Sequence, residues 1–430
     1  MKRTLISLVA LCLATISMNG QNAYVCHGYG YDTYTIADIG DMTFSADQTT
    51  VNIAGETYEV ADIDSITFSE PQFPMITIEY NGTTATVNIP AGITGVTCSS
   101  GTSSHVVITS TNTTTEYMYS LSGTSSDGSF TLNGSYKLTM QLNGVKLISR
   151  QGAAIDIECG KRIDCIVKEG TVNTLTDSSS GDQKAAFYTK GHIEFKGGGI
   201  LNVKGNLKHA IAAKEYLIIK GSFGTLNVLS AVSDGIHCGR GDKGSEHNYF
   251  QMNGGTVNIG SCGSDCIDSD DYGCIKIKDG TLKLNITATD GTGLKCDSIF
   301  TMSGGNIILN ITGAASEGIC TSYTGNFKGG TISGTLSADG ARGIRGKNVT
   351  KVTGTVRSGG NLNFSGTNVN LTVSGGTDTS TSNKSFGIKA DKTLTQTAGD
   401  ITINVTNSAA ADIYAATDTW SGGTRNGASK

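Results

Sequence analysis

The sequence has 430 residues and a formal net charge of −5, and it contains 58 glycines but only 3 prolines. An acidic surface argues against nucleic acid as a partner, because phosphates require a basic face. No segment beyond the N-terminal region is long and apolar enough for a membrane span, so a membrane-spanning protein is not expected.

The N-terminus has the organisation of a secretory signal peptide. Lys2 and Arg3 precede an apolar run from Leu5 to Ile16, which is too short for a transmembrane helix. We expect residues 1–23 to be cleaved, and we find no lipid-attachment motif. The mature protein is therefore expected to be secreted, periplasmic or exposed at the cell surface. Loss of the two cations changes the net charge from −5 to −7.

The next segment, residues 24–72, contains two similar stretches that begin at Tyr34 and Tyr58, 24 residues apart. Both alternate enough to predict strands, which indicates a small β module or attachment segment. Such tandem stretches resemble those of exported proteins of gut Bacteroidetes. Residues 73–150 contain short strands separated by glycine turns, and we expect an N-terminal β cap and the first coils of a larger structure there.

A repeating unit occupies residues 151–416. A small residue precedes a bulky apolar one, and four of the eight intervals between bulky positions are 24 or 25 residues. The bulky positions are Ile155, Phe187, Ile211, Ile236, Ile267, Leu294, Ile319, Ile344 and Ile388. The period and the near absence of proline predict an all-β fold, a parallel β-helix solenoid, since proline would delete ladder hydrogen bonds. Residues 417–430 are expected to form a C-terminal tail.

Stacked coils about 4.8 Å apart bring equivalent positions of the repeat into columns. Two places before the bulky residue, successive coils carry His209, Asp234, Asp265, Thr292, Glu317 and Arg342. Asp270 and Asp297 lie three places after it, and Asp268 and Asp290 lie close by. Any single acid could occupy a solvated turn. As a cluster, stacked carboxylates repel one another unless cations compensate them, and oxygen ligands favour Ca²⁺. We therefore predict calcium as the cofactor, with Asp234, Asp265, Asp268, Asp270, Asp290, Asp297 and Glu317 as its candidate ligands.

Several stretches resemble a bacterial carbohydrate-binding β-helix family first described in a cellulolytic clostridium. They include residues 142–147, Gly152–Ile155, residues 170–177, Lys208–Ile211 and Ser233–His237. The resemblance implies a right-handed helix, bound calcium, and recognition of plant cell-wall polysaccharide of the pectin (polygalacturonate) or cellulose type. It also implies a likeness to polysaccharide lyases in shape.

Three functions remain open from the sequence. The first is non-catalytic binding of an acidic polysaccharide, in which calcium bridges the acidic protein and the ligand. Tyr249, Phe250, Tyr272 and Tyr323 are the candidate sugar-binding aromatic residues. The second is a calcium-dependent pectate lyase, for which Lys295 would be the catalytic base. The third is a surface adhesin or scaffold. We expect a monomer, although the sequence leaves the oligomeric state open.

Ten cysteines follow the apolar N-terminal run. Export would permit disulfides, whereas positions beside inward-pointing residues favour buried free thiols. The sequence leaves both alternatives open.

Overall fold

The computed structural model describes residues 22–27, 30–63, 65–70, 75–239, 248–270, 272–348, 359–379 and 383–426. Nearly all of the expected signal peptide therefore lies outside the described residues. Within the described ranges, no helix has the length and apolar character needed to cross a membrane.

A small N-terminal module precedes the main body of the protein. Its elements are β1 (Asn22–His27), β2 (Gly30–Thr35), α1 (Ile36–Ile39), β3 (Thr43–Phe44), β4 (Thr50–Ile53), β5 (Glu56–Glu59), a 3₁₀ turn (Val60–Asp62) and β6 (Ser65–Thr67). The strands form two antiparallel sheets, ordered β2-β1-β6 and β3-β4-β5. Buried residues of both sheets, among them Val25 and Ile53, share one small core.

The prediction of strands throughout the two repeated stretches is wrong at their centres. In the first stretch α1 forms a helical turn, and Oγ1 of Thr35 accepts a hydrogen bond from the backbone N–H of Asp38 at 3.3 Å. A threonine cap satisfies an N–H group that the start of a helix leaves unpaired. Local bonding between side chain and backbone therefore prevails here over the two-residue alternation.

The described residues between 75 and 425 contain thirty-six further strands. The first are β7 (Met75–Asn81), β8 (Thr84–Asn88), β9 (Val96–Cys98), β10 (His105–Ser110), β11 (Met118–Ser125), β12 (Ser129–Asn133), β13 (Leu138–Leu142) and β14 (Lys146–Ile148). The next are β15 (Ile155–Glu158), β16 (Arg162–Val167), β17 (Val172–Thr176), β18 (Ala185–Thr189), β19 (His192–Lys196), β20 (Ile200–Gly205), β21 (His209–Ala213), β22 (Leu217–Ile219), β23 (Thr225–Ala231), β24 (Ile236–Cys238), β25 (Tyr249–Met252), β26 (Thr256–Cys262), β27 (Ile267–Ser269), β28 (Cys274–Ile277) and β29 (Thr281–Ile286). The last are β30 (Thr292–Cys296), β31 (Ile299–Met302), β32 (Asn306–Ile311), β33 (Glu317–Thr321), β34 (Thr324–Phe327), β35 (Thr331–Leu336), β36 (Arg342–Gly346), β37 (Asn361–Ser365), β38 (Asn368–Val373), β39 (Phe386–Ala398), β40 (Asp400–Val405), β41 (Ala411–Trp420) and β42 (Thr424–Arg425).

These strands stack in parallel on three faces, which confirms the predicted parallel β-helix. Face A contains β10, β12, β15, β18, β21, β24, β27, β30, β33, β36 and the first halves of β39 and β41. Face B runs from β11 through β13, β16, β19, β22, β25, β28, β31, β34 and β37 to the second halves of β39 and β41. Face C runs through β14, β17, β20, β23, β26, β29, β32, β35, β38, β40 and β42. The antiparallel strands β8 and β9 flank the first coil.

The predicted bulky positions form the inward column of face A. Ile211, Ile236, Ile267 and Leu294 pair in successive coils, and each is at most 1% exposed. Burying each such side chain contributes about 1.5–3 kcal/mol. The column extends in both directions, so the core is continuous along the solenoid.

Steric crowding between coils explains why a small residue precedes the bulky position. A Cβ atom on Gly293 or Gly318 would lie 2.4 Å from the backbone oxygen of the equivalent residue in the next coil. Side chains larger than hydrogen would therefore force these coils apart. This close approach keeps successive strands of face A in register.

The solenoid extends further than the sequence indicated. Strands β41 and β42 continue the parallel pairing as far as Arg425, and Ile413 is fully buried. The expected tail of residues 417–430 is therefore corrected, since residues 417–425 belong to the last coils. Pairing with β39 and β40 supplies the hydrogen bonds that the sequence pattern alone did not reveal.

The N-terminal module packs against face B through a buried ion pair. Nζ of Lys196 on β19 lies 2.7 Å from Oδ1 of Asp32 in the module and 3.1 Å from Oδ2 of Asp164 on β16. Oδ2 of Asp32 also accepts a hydrogen bond from Tyr58 at 2.7 Å. Burial disfavours the Lys196 charge, but the two carboxylates outweigh this effect and raise the pKa of Lys196. The module is thus attached to the solenoid by compensated buried charges.

Candidate functional site

Two neighbouring columns of side chains run along face A. The first, which we call the plus-one column, follows the bulky residue and aligns His237, Asp268 and Lys295. The second, the minus-two column, contains Asp234 and Asp265 in adjacent coils, because the backbone N–H of Gly235 bonds the Asp265 oxygen. The structure therefore brings together residues that lie up to sixty positions apart in the sequence.

Side chains of the two columns converge into one cluster. We call Asp234, Asp265, Asp268 and Asp270, with His209 and His237, the acid cluster. Three groups in it each place one ligand atom per residue within 4.8 Å of the others. These groups are His209–Asp234–His237, His237–Asp268–Asp270 and Asp234–Asp265–Asp268.

Asp234 is held as an anion by two histidines. Its Oδ2 lies 3.1 Å from Nδ1 of His209 and 3.2 Å from Nδ1 of His237. Burial opposes ionisation of Asp234, but the two histidines outweigh burial and hold the pKa of Asp234 well below the ordinary range. Burial lowers the pKa of His209, so this ring is neutral at neutral pH.

Within the described residues, Asp265 and Asp268 share one cation. Nζ of Lys295 lies 3.1 Å from Oδ2 of Asp265 and 3.2 Å from Oδ2 of Asp268. Burial nevertheless raises the pKa of Asp265, and with the neighbouring acids it raises that of Asp268 to about 7. Lys295 therefore compensates the cluster only in part.

Lys295 itself remains protonated. Burial disfavours its charge, but Asp265 and Asp268 outweigh burial and raise the pKa of Lys295 above its ordinary value. A general base must have a free lone pair near the working pH. With Asp265 and Asp268 ionised beside it, the raised pKa of Lys295 disfavours that role.

The oxygen donors of the acid cluster fit a divalent cation. Its four aspartates and Lys295 together carry a formal charge of −3. Oδ1 of Asp268 is buried and has no hydrogen-bond partner within the described residues. Buried polar atoms normally have a partner, so this oxygen could serve as a metal ligand. An all-carboxylate group such as Asp234–Asp265–Asp268 suits Ca²⁺, whereas the group with two imidazoles suits a d-block metal better.

Three predicted ligands are not part of this cluster. Glu317 belongs to the minus-two column, but its Oε1 lies 3.5 Å from Arg342 and also pairs with Arg345. The two arginines therefore already neutralise this carboxylate. Asp290 is an exposed turn residue with a φ of 56°. Asp297 is half-buried at the corner after β30 and belongs to none of the described metal-ligating groups. The predicted stack of three acids at one column position, Asp234, Asp265 and Glu317, is therefore corrected for Glu317, which pairs with arginines and lies outside the acid cluster.

The predicted sugar-binding aromatics fall into different environments. Phe250 is fully buried in the core, so its prediction as a binding residue is wrong. Tyr249 lies on face B, where its ring stacks on Tyr216 with centroids 4.7 Å apart, and Nζ of Lys276 lies 4.5 Å from its centroid. Tyr272 and Tyr323 are half-buried, two coils apart, at the corner between faces A and B.

A groove of about 320 Å³ adjoins the acid cluster. His209, His237 and Asp270 line one side of it, and the other lining residues include Tyr188, Lys184, Lys208 and Lys214. Tyr188 and these lysines are not among the candidate residues predicted from the sequence. Tyr188 follows the bulky Phe187, so the register that identified Asp268 also points to Tyr188. The lysines lie in solvated turns and carry no comparable signal.

Comparisons with known proteins give one family and one solved structure. The family described as "Carbohydrate-binding domain-containing protein" matches residues 102–429. A solved structure described as the polysaccharide lyase-like protein from C. thermocellum, gadolinium derivative, is 18% identical with a TM-score of 0.40 and covers 80% of this chain and 99% of that chain. The comparison with curated proteins gave no significant match.

Proposed function

Since the chain belongs to the family of carbohydrate-binding domain-containing proteins, we propose that it is an exported, non-catalytic protein that binds an acidic polysaccharide of polygalacturonate type with the help of calcium. The proposal depends on the acid cluster, in which the carboxylates outnumber the one lysine that pairs with them. The cluster adjoins a groove that three further lysines line. The apolar run from Leu5 to Ile16 supports export.

The acid cluster and the groove supply complementary charges for one ligand. Asp265, Asp268 and Asp270 would hold calcium, and the ion would supply free coordination positions to sugar carboxylates. Lys208 and Lys214 would contact further carboxylates of the same chain through charge-assisted hydrogen bonds. Such an arrangement favours a polyanion over neutral cellulose, which offers neither contact.

The protonation of Lys295 favours binding over lyase chemistry. Removal of a proton beside a uronate carboxylate requires a base, and Lys295 was the candidate from the sequence. Its ammonium is stabilised by Asp265 and Asp268. We expect no unsaturated product when polygalacturonate and calcium are incubated with the protein and followed by ultraviolet absorbance. Product formation that is lost in Lys295→Met would support the lyase instead.

Calorimetry tests the proposed function directly. The protein is titrated with polygalacturonate in excess calcium and again in excess chelator, and we expect calcium to tighten binding by about tenfold or more. Asp268→Asn removes a ligand oxygen and should abolish this gain. Asp290→Asn, which changes an exposed turn carboxylate, is the matched control and should preserve it.

Two outcomes would contradict the proposal. The first is equal affinity for polygalacturonate with calcium and with chelator. The second is an equal loss of affinity in Asp268→Asn and Asp290→Asn, since that would locate the effect outside the acid cluster. An absence of any saccharide binding would favour the adhesin or scaffold alternative.

A further inference from the structure

Beyond Lys295, both columns of face A change from anionic to cationic. The plus-one column continues through Cys320 to Arg345, Lys389 and Tyr414 in successive coils. In parallel, the minus-two column continues from Glu317 to Arg342 and then Phe386. We call Arg342, Arg345, Lys389, Phe386 and Tyr414 the cationic patch.

The cations of the patch outnumber the carboxylates around them. Arg345 pairs with Glu317 and lies 3.3 Å from Asp391, measured between Nη2 and Oδ2. Arg342 uses the same oxygen of Glu317 at 3.5 Å, and Lys389 lies 3.9 Å from Oδ1 of Asp391. Among the described residues of this region, three cations therefore share two carboxylates, which leaves one surplus positive charge.

The surroundings of the patch disfavour this surplus charge. Burial lowers the pKa of Arg342, and the neighbouring Arg345 lowers it further. Burial and Arg345 likewise lower the pKa of Lys389. An added anion would relieve the repulsion among these cations, because opposite charges within a few ångströms favour the charged forms.

Aromatic rings adjoin the surplus charge. The rings of Phe386 and Tyr414 lie 5.9 Å apart, and Nζ of Lys389 lies 5.6 Å from the first centroid and 5.8 Å from the second. Tyr414 is 38% exposed. Its ring offers a flat apolar surface that the C–H groups of a sugar ring can cover, next to a cation that can bind an anionic substituent.

We propose that the cationic patch is a second saccharide subsite, which binds a sugar carboxylate or sulfate without a metal ion. The proposal rests on the proposed function and extends it, because both sites lie on the same face. Asp268 and Lys389 are four coils apart in one column, a distance of about 19 Å along the axis. A single extended polyanion lying along face A would contact calcium at one end and the cationic patch at the other.

Binding measured in chelator separates this subsite from the calcium site. Polygalacturonate is titrated into the wild type, Lys389→Gln, Lys389→Glu and Lys283→Gln at low ionic strength, all in excess chelator. Lys283 is exposed on face C and serves as the matched control. We expect Lys389→Gln to weaken binding by about fivefold and Lys389→Glu to weaken it more, while Lys283→Gln matches the wild type.

Two further ligands define the chemistry of the subsite. Fully methyl-esterified polygalacturonate lacks the charge and should lose the Lys389-dependent part of the affinity. Dextran sulfate, which carries sulfate esters but no carboxylates, tests whether sulfate can replace carboxylate, and its binding should depend on Lys389 if the subsite accepts either anion. If only polygalacturonate shows that dependence, the subsite is assigned to carboxylates.

The proposal is overturned if the wild type does not bind polygalacturonate in chelator, or if both Lys389 variants bind it as the wild type does. Equal binding of the esterified polymer would overturn it as well. Failure of the calcium proposal gives a different result, namely no gain from calcium in the wild type with the Lys389 dependence intact. The two proposals can therefore fail separately.

Discussion

Lys295 reaches back by one coil to Asp268, with 3.2 Å between Nζ and Oδ2. The stacked acids of face A therefore have an internal counter-ion, so repulsion among the carboxylates does not by itself require a metal ion. The aspartates of the acid cluster outnumber this lysine, so the cluster keeps an excess of negative charge that a bound cation could balance. From that balance we expect the cluster to respond to calcium, to pH and to replacement of the lysine.

Replacing Lys295 should strengthen calcium binding. The ammonium competes with a cation for Asp265 and Asp268, so Lys295→Gln removes a competitor and makes the cluster more negative. We expect calcium affinity to rise by about tenfold. Without calcium, loss of hydrogen bonds to two buried carboxylates should lower the free energy of unfolding by about 1.5–3 kcal/mol.

Calcium calorimetry and thermal melts check this prediction. Lys283→Gln should change neither quantity, because that side chain is exposed on another face. A fall in calcium affinity in Lys295→Gln would show that the lysine orients the ligands and does not compete with the ion.

Calcium binding should weaken as the pH falls through 7. The pKa of Asp268 is about 7 in the folded protein, against an ordinary value of 3.8. Between these values the folded state binds more protons than the unfolded state, so stability without metal falls as the pH rises. Calcium requires the ionised form, and protons compete with it by up to about tenfold per pH unit below 7.

Titrations with calcium at pH 8, 7, 6 and 5 measure this dependence. In Asp268→Asn calcium binding should be weak at every pH and should not change between pH 6 and 8, since the titrating ligand is gone. A slope that persists in this variant would assign the proton competition to a different group.

Loss of Lys196 should release the N-terminal module. Lys196→Met removes the cation that Asp32 and Asp164 share, while Arg162 still lies 3.2 Å from Asp164, so we expect a cost of about 3 kcal/mol. We expect faster proteolysis within residues 22–70 and a lower melting temperature. Lys168→Met changes an exposed lysine nearby and should leave both unchanged. An unchanged rate of proteolysis in Lys196→Met would contradict the attachment by this ion pair.

Phe250 should contribute to the stability of the fold and not to saccharide binding. Its ring is fully buried in the inward column of face B, between Leu217 and Ile275. Phe250→Ala should reduce the free energy of unfolding by about 3–5 kcal/mol, measured by denaturant unfolding. Leu229→Ala truncates a leucine that is 51% exposed and should change it by less than about 0.5 kcal/mol. Weaker saccharide binding by fully folded Phe250→Ala would contradict this role.

The repeat pattern made face A predictable. Ile236, Ile267 and Leu294 recur after small residues, and stacking at the strand spacing then fixes which side chains are neighbours. The alignment of Asp234 with Asp265 follows from that register alone. The internal helix of the N-terminal module and the last coils escaped prediction, because a local cap and long-range pairing decided them.

The sequence by itself determined the period of the solenoid, the inward columns and the residues that share a column, because these depend only on spacing along the chain. The tertiary structure alone decided which charges meet across columns. Lys295 contacts Asp265 and Asp268, whereas Glu317 contacts two arginines, and a side chain's direction and burial set that choice. Whether an aspartate is a candidate ligand or a neutralised partner therefore depends on three-dimensional contacts that spacing does not encode.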